Sequence, residues 1–351
     1  MSEPRRPALA PPAYRRHQVL GALGVAAAAL AFSLLQGDAL TLGIMSQWAT
    51  YALAGIGFYI VFGLSGQFAF SQAAFMGLGA YTTAWASDRV GFVGGFVLAI
   101  VVSTVVALAF SWIVRRTEAF YFAIATLALS SIFLVVFREW EGFTASGGEV
   151  GGIPRPDLFG WEINDDRGIF VLTLAVLTIG LILTALIERS PLRRAAIALR
   201  DKPEVAASAG LPTTWTRYAF FAIGSAFAAA AGALTAHRIG FINPDTFSLQ
   251  LGIDLFLVLL LGGIGSMWGA VIGALFVVWA PEKLRFVGAH QSLIYGLLLV
   301  LVVLLLPRGL VGLYDLLPWR RRRHRDDVTP LDVEPRDPLG TETAGVPDAL
   351  G

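Results

Sequence analysis

The chain has 351 residues, of which 56% are hydrophobic and 15% charged, with a formal net charge of +1. An ordinary soluble domain is about 25% charged, so this chain carries more apolar surface than one core absorbs, and lipid must cover part of it. The near-neutral balance gives no basis for nucleic-acid binding, and the absence of cysteine excludes disulfides, thiolate metal sites and cysteine nucleophiles.

The first 17 residues carry Arg5, Arg6, Arg15 and Arg16 ahead of an apolar run from Val19 to Leu35. No clear small-residue cleavage site precedes polar sequence, so the run reads as a retained first helix rather than a signal peptide. A helix needs about 20 apolar residues to cross the hydrocarbon core. Ten stretches fit: 18–36, 46–63, 66–86, 91–114, 119–137, 169–187, 216–237, 250–263, 264–281 and 290–306. The expected fold is an all-α polytopic membrane bundle of about ten transmembrane helices over residues 18–310. The stretch 250–281 is too long for one straight span, and Gly262-Gly263-Ile264-Gly265-Ser266 permits a break there.

Loop charge sets the orientation. With the N-terminus cytoplasmic and strict alternation, 19 of the 26 Lys and Arg residues fall on the cytoplasmic side, as the positive-inside rule requires. An even number of spans returns the C-terminus to the same side, with the Arg320–Arg323 cluster. Residues 138–168 then form the long exterior loop, containing Gly147, Gly148, Gly151, Gly152, Pro154 and Pro156. Residues 311–351 form a cytoplasmic tail whose part from 326 onward, rich in Pro, Asp and Glu, is expected to be disordered.

Several segments stand out within this frame. From Gly63 through Tyr81 to Ala84, Ala73, Gly77, Ala80 and Ala84 fall on one helical face, and Gln67 and Ser71, four apart, share another. Polar side chains at membrane depth need partners or a wet cavity. The segment therefore reads either as a helix beside a translocation path or as a packing helix bonded to its neighbours. Two more small-residue faces, Gly224, Ala228, Gly232 and Ala236, and Gly265, Gly269 and Gly273, read as packing seams. Asp254 reads as a headgroup-level boundary residue, and His237 and Arg238 as interfacial anchors on the exterior side.

The cytoplasmic loop 188–216 interrupts the apolar pattern with a basic, amphipathic stretch. Asp201 is placed to cap a helix, Pro203 and Glu204 suit its first turn, and Gly210 followed by Leu211 and Pro212 suits its end. A short helix over Asp201–Ala209 is expected, with small side chains that suit a partner's groove. A surface helix resting on lipid is the alternative. No phosphate-binding loop of the G-x-x-x-x-G-K-[ST] form occurs, no Gly-x-Ser-x-Gly elbow is present, and the four histidines lack metal-ligand spacing.

These segments together resemble the permease subunits of branched-chain amino acid ABC importers, in particular the M-type member of the pair. The resemblance rests on the stretch from Gly63 through Gly66, Gln67, Ala73, Phe75, Gly77, Gly79 and Ala80 to Tyr81. It rests also on Tyr121-Phe122-Ala123 with Thr126-Leu127-Ala128, on Gly151-Gly152-Ile153-Pro154, on Ser190–Gly210, and on Leu261–Gly269. Residues 45–310 are covered. Gln72 stands where the family often has His, Asp254 where Glu is usual, and Arg194, Pro203 and Ser208 differ from the commonest coupling-loop residues.

The resemblance implies a multi-pass protein of the cell membrane with both termini cytoplasmic. It pairs with a second, H-type permease, two cytoplasmic ATP-binding subunits and an exterior solute-binding protein. The partners would use ATP and Mg, with no cofactor in this chain. Arg200, Asp201, Glu204, Ala206, Ala207 and Gly210 would couple to the ATPase, and Ser65, Gln67, Ser71, Gln72 and Thr126 are candidates for the translocation path. Branched-chain amino acids are the expected solute, with urea or short amides as the alternative. A stand-alone ion-coupled secondary transporter, the competing class, would need intramembrane charges, and Asp254 is nearly alone. Since the chain lacks cysteine, single cysteines at positions 205 and 148 report sidedness: position 205 should label only from the cytoplasm and position 148 only from outside. Exterior labelling at 205 would overturn the span count.

Overall fold

A computed structural model describes residues 21–25, 27–31, 38–117, 119–140, 148–158, 161–305 and 309–310. The tail 311–351 and most of the N-terminal segment, including parts of the first expected span, lie outside the described residues. The described part is a helical bundle. Helix α1 spans Ala39–Phe58 and runs directly into a π-helical turn, Tyr59–Leu64. Next come α2 (Gln72–Ile113), α3 (Ala119–Glu139), α4 (Asp166–Arg189), α5 (Pro191–Asp201), α6 (Pro203–Ser208) and α7 (Thr213–Ile239). The chain continues through α8 (Leu249–Gly262), α9 (Met267–Lys283) and α10 (Gln291–Leu305).

Six of the described helical segments are long and apolar enough to cross a membrane. The count of about ten is not reached this way. Helices α9 and α10, with 17 and 15 residues, are shorter, and 18–36 is described only in part. The expected spans 66–86 and 91–114 form one helix of 42 residues, broken at Gly91, whose φ of 71° and ψ of 174° are not helical. At 1.5 Å per residue such a helix is twice too long for one crossing, so the break at Gly91 divides it. Phe92 N, just past the break, donates to Asp157 Oδ1 at 2.9 Å. The start of this helix also differs from expectation: Gly66–Ala69 is not helical and α2 begins only at Gln72. Gln67 and Ser71 therefore do not share a helical face.

Gly232 and Gly79, and Gly269 and Gly273, lie at seams where helices meet backbone to backbone, whereas Gly265 precedes α9 with nothing within 4 Å and belongs to no seam. A Cβ on Gly232 of α7 would overlap the Met76 carbonyl of α2, and one on Gly79 of α2 would overlap Ala229 of α7. In lipid no hydrophobic force draws helices together, and close backbone approach through small residues supplies the packing instead. The pair α8 and α9 splits as the glycines predict. Gly263 has a φ of 116°, Ser266 caps α9 by accepting from Trp268 N at 3.2 Å, and Gly262 and Gly273 leave no room for a Cβ against Gly269 and Val258 of the facing helix.

At one end of the bundle, described residues 148–158 of loop 138–168 pack against the helices. Strand β1 (Val150–Gly151) pairs antiparallel with β4 (Phe241–Ile242), and β2 (Asp157–Leu158) with β3 (Trp161–Glu162). Tyr81 Oη donates to Gly148 O at 2.6 Å, and Tyr81 stacks on Phe137 at 4.6 Å. His237 is 1% exposed and lies within hydrogen-bond distance of Pro154 O through Nδ1 (2.7 Å) and of Thr83 and Ser87 through Nε2 (3.2 and 3.1 Å). It is therefore a buried tie between α7, α2 and the loop, not the interfacial anchor that its position in the sequence implied. Replacing Gly232 by Val should lower stability by about 1–3 kcal/mol or more. Gly296→Ala, at a site with nothing within 4 Å of the new Cβ, should change little. Thermal unfolding of the two purified variants in detergent measures both.

Candidate functional site

Two regions at the opposite end of the bundle hold the residues singled out from sequence, and the structure joins them. The first is the non-helical link between the π-turn and α2. A non-helical backbone beside membrane-crossing helices leaves N–H and C=O groups without intrahelical partners, and such groups must be satisfied by protein or by a wet cavity. At Phe70, α3 supplies them. Thr126 Oγ1 accepts from Phe70 N at 3.1 Å, and Ser130 Oγ donates to Phe70 O at 3.1 Å. Gln67 N reaches Val61 O at 3.2 Å, while its side-chain Nε2 donates to Ser65 Oγ at 2.7 Å and Arg217 O at 3.1 Å. On the apolar side, Phe68 and Phe70 pack on Phe256 of α8 with ring centroids 6.0 and 6.2 Å away.

The five path candidates thus divide. Ser65 and Gln67 line a cavity of about 220 Å³. Thr126 serves the backbone of the link. Ser71 and Gln72 are fully buried, and neither the Ser71 hydroxyl nor either Gln72 amide atom has a hydrogen-bond partner among the described residues. A buried amide left so is costly, on the order of 1–3 kcal/mol per group, which marks the start of α2 as a place of stored polar demand. The π-turn that precedes the link was not legible from composition. Such turns are rare and recur at functional sites.

The second region is loop 188–216, which holds two helices where one was expected. Asp201 ends α5 instead of capping α6, and Lys202 takes the cap position without a side-chain hydrogen bond. The short helix is Pro203–Ser208. Its C-terminus behaves as the glycine predicts: Gly210 has φ +73°, Gly210 N donates to Ala207 O at 3.0 Å, and Leu211 N donates to Ala206 O at 3.1 Å. Those two bonds form a Schellman motif. Ala206 is buried at 3% exposure, whereas Glu204, Val205, Ala207 and Ser208 face outward. Of the six coupling residues, Ala206 therefore anchors the helix to its own chain.

Arg200 is the joint between the two regions. Its Nη1 donates to Gly63 O at 2.5 Å, its Nε reaches Asp201 Oδ1 at 3.1 Å, and its side chain lies against Gly66, where a Cβ would collide with it. Gly66, at φ +71°, is thus required both by backbone conformation and by contact. The π-turn is held from a second side as well, because Tyr59 Oη donates to Glu188 Oε1 at 2.7 Å at the end of α4. Asp254 lies part-way along α8, half-buried and hydrogen-bonded to Gln250 at 3.3 Å, in a separate polar cavity with Tyr51 and Tyr295. No cluster of metal-ligating side chains occurs among the described residues.

Comparison with known proteins bears on this arrangement. Residues 40–306 match the family described as the branched-chain amino acid transport system / permease component. The chain is 30% identical to the high-affinity branched-chain amino acid transport system permease protein LivM of Escherichia coli, over 83% of this chain and 74% of that protein. It is 28% identical to LivH of the same organism, over 75% of this chain and 92% of that one. Pseudomonas aeruginosa BraD is 29% identical over 75% and 92% respectively. No solved structure matches. Thr126→Val removes the acceptor for Phe70 N and should destabilise the fold by about 1–3 kcal/mol, whereas Thr126→Ser should retain most of the stability. Denaturant unfolding of the two variants should separate them; equal stability would remove Thr126 from the support of the link.

Proposed function

The chain belongs to the branched-chain amino acid permease family, and from that premise we propose that it forms half of the translocation path of an ATP-driven importer. The proposed solute is a small polar molecule, most specifically a branched-chain amino acid. Its similarity to both LivM and LivH supports pairing with a second, related permease. Two ATP-binding subunits would bind and hydrolyse ATP with Mg on the side of loop 188–216, and a solute-binding protein would dock on the side of loop 138–168. Both termini would lie with the ATP-binding subunits, in keeping with the distribution of basic residues.

The observation that carries this reading is the construction of α6. Six residues form a stiff helix, stopped by a glycine cap and fixed from beneath by Ala206. Its outward face offers one apolar side chain, Val205 at 59% exposure, between small and acidic neighbours. A face of that kind suits insertion into a groove. The adjoining Arg200 then carries a displacement of the helix to Gly63 and Gly66, hence to the π-turn and to Ser65 and Gln67 in the cavity. Movement at the partner would in this way reach the link between two membrane helices.

Ala207→Glu places bulk and charge on the outward face, and Gly210→Val forces a β-branched residue to a positive φ. Neither touches a membrane helix. Both should insert normally and lose ATPase co-purification and uptake by tenfold or more, a figure that corresponds to roughly 1.4 kcal/mol of lost contact. Normal co-purification and uptake with Ala207→Glu would leave α6 as a surface helix on lipid.

A further inference from the structure

The cavity beside Arg200 has a composition that transport of a neutral solute does not explain. Its lining includes three guanidinium groups, Arg115 at the end of α2, Arg200 at the end of α5 and Arg217 in the first turns of α7. Thr117, Thr213 and Thr214 add hydroxyls, and no Asp or Glu is among its lining residues. Ser111, also lining it, is 3% exposed, and its hydroxyl has no hydrogen-bond partner among the described residues. Many buried helical Ser and Thr residues of this chain return their hydroxyl to the carbonyl four residues back, as Ser87, Thr173 and Ser225 do. Ser111 does not, so a donor is left over beside three cations.

Exposed aromatic side chains stand beside these lining residues. Trp112 is 60% exposed and Trp215 71%, each next in sequence to a lining residue, and Phe120 and Tyr121, just before Phe122 of the lining, are 72% and 59% exposed. Arg115 lies over the Trp112 ring at 5.2 Å, and Trp215 packs on Tyr218 of the lining at 5.9 Å. Large aromatic side chains left exposed at the ends of membrane-crossing helices mark the headgroup level of a bilayer. Basic pockets between helices at that level take anionic headgroups, in which phosphate oxygens accept from arginine and hydroxyl donors.

We propose that this cavity binds the phosphate of an anionic phospholipid, held by Arg115 and Arg217 and by the free Ser111 hydroxyl, with the acyl chains against the aromatic rim. Bound there, the headgroup bridges the ends of α2 and α7 to the Arg200 joint, so the lipid stiffens the connection between α6 and the link at residues 65–71. The site is independent of which solute is carried.

The test uses the full-length protein in nanodiscs of phosphatidylcholine with and without phosphatidylglycerol, with retained lipid read by native mass spectrometry. Wild type should retain phosphatidylglycerol in preference to phosphatidylcholine. The double variant Arg115→Gln/Arg217→Gln should lose about twenty-five-fold of that preference, at roughly fivefold per basic residue. Arg116→Gln, an exposed neighbour that does not line the cavity, should keep it. Ser111→Ala guards against misfolding of the double variant: it removes only a hydroxyl, and should weaken the preference severalfold in a protein that remains monodisperse. No preference in wild type, or an unchanged preference in the double variant and in Ser111→Ala, would overturn the site. If inorganic phosphate raises the thermal stability of wild type in pure phosphatidylcholine, but not that of the double variant, while no lipid preference is seen, the cavity takes free phosphate and the lipid assignment is overturned.

Discussion

Backbone amides that leave a helix beside a membrane must find partners within the protein, and much of this structure follows from how residues 65–71 meet that demand. The link cannot be solvated by lipid. It is held instead by hydroxyls of α3 at Phe70, by its own glutamine at Ser65, and by aromatic packing of Phe68 and Phe70 on α8. The same glutamine also donates to Arg217 O of α7, so the outside partners come from three different helices. The link is therefore sensitive to the relative positions of α3, α7 and α8, which a continuous helix would not be. A continuous helix satisfies its own backbone and reports nothing of its neighbours.

The glycine seams set the complementary constraint. Where α2 meets α7, and where α8 meets α9, the contact is backbone to backbone, with no side chain able to rearrange in between. Such contacts are either made or broken, because a packed interface does not deform continuously. The bundle thus combines stiff seams at Gly79, Gly232 and Gly273 with one region, the π-turn and the link, whose hydrogen bonds are irregular and whose polar groups at Ser71 and Gln72 are left over. Any rearrangement of the protein that needs little reorganisation is concentrated there.

Much of this was legible in the sequence, for identifiable reasons. Apolar length located the long helices, because hydrocarbon thickness fixes span length. The small-residue spacing located the seams, because only Gly and Ala admit close approach. Gly210 marked a helix stop, since a positive φ excludes most other residues. The failures share a cause, which is that they depend on partners distant in sequence. Nothing in Gly66–Phe70 announces that helix is lost there, since the hydroxyls that make this tolerable belong to Thr126 and Ser130, some 60 residues away. Asp201 has the composition of an N-cap, yet the helix begun at Pro191 continues through it, and Pro203 enforces the break one residue later than the cap rule placed it. His237 reads as an anchor until the loop that buries it is folded over it.

Arg200 is where the local and distant constraints meet, and its position restricts how the two ends of the proposed coupling path work together. Its guanidinium is bonded to a carbonyl of the π-turn on one side and to Asp201 on the other. The π-turn ends at Leu64, and the extra donor satisfies the Gly63 carbonyl in its last turn, where the helix offers no further N–H. Drawing α5 away from the membrane domain removes that donor, and the collision that reserves Gly66 for glycine disappears with it. The state of the turn at 59–64 and the seating of α5 and α6 are therefore linked through one side chain, and the same side chain forms part of the wall of the cavity on which Ser65 and Gln67 open.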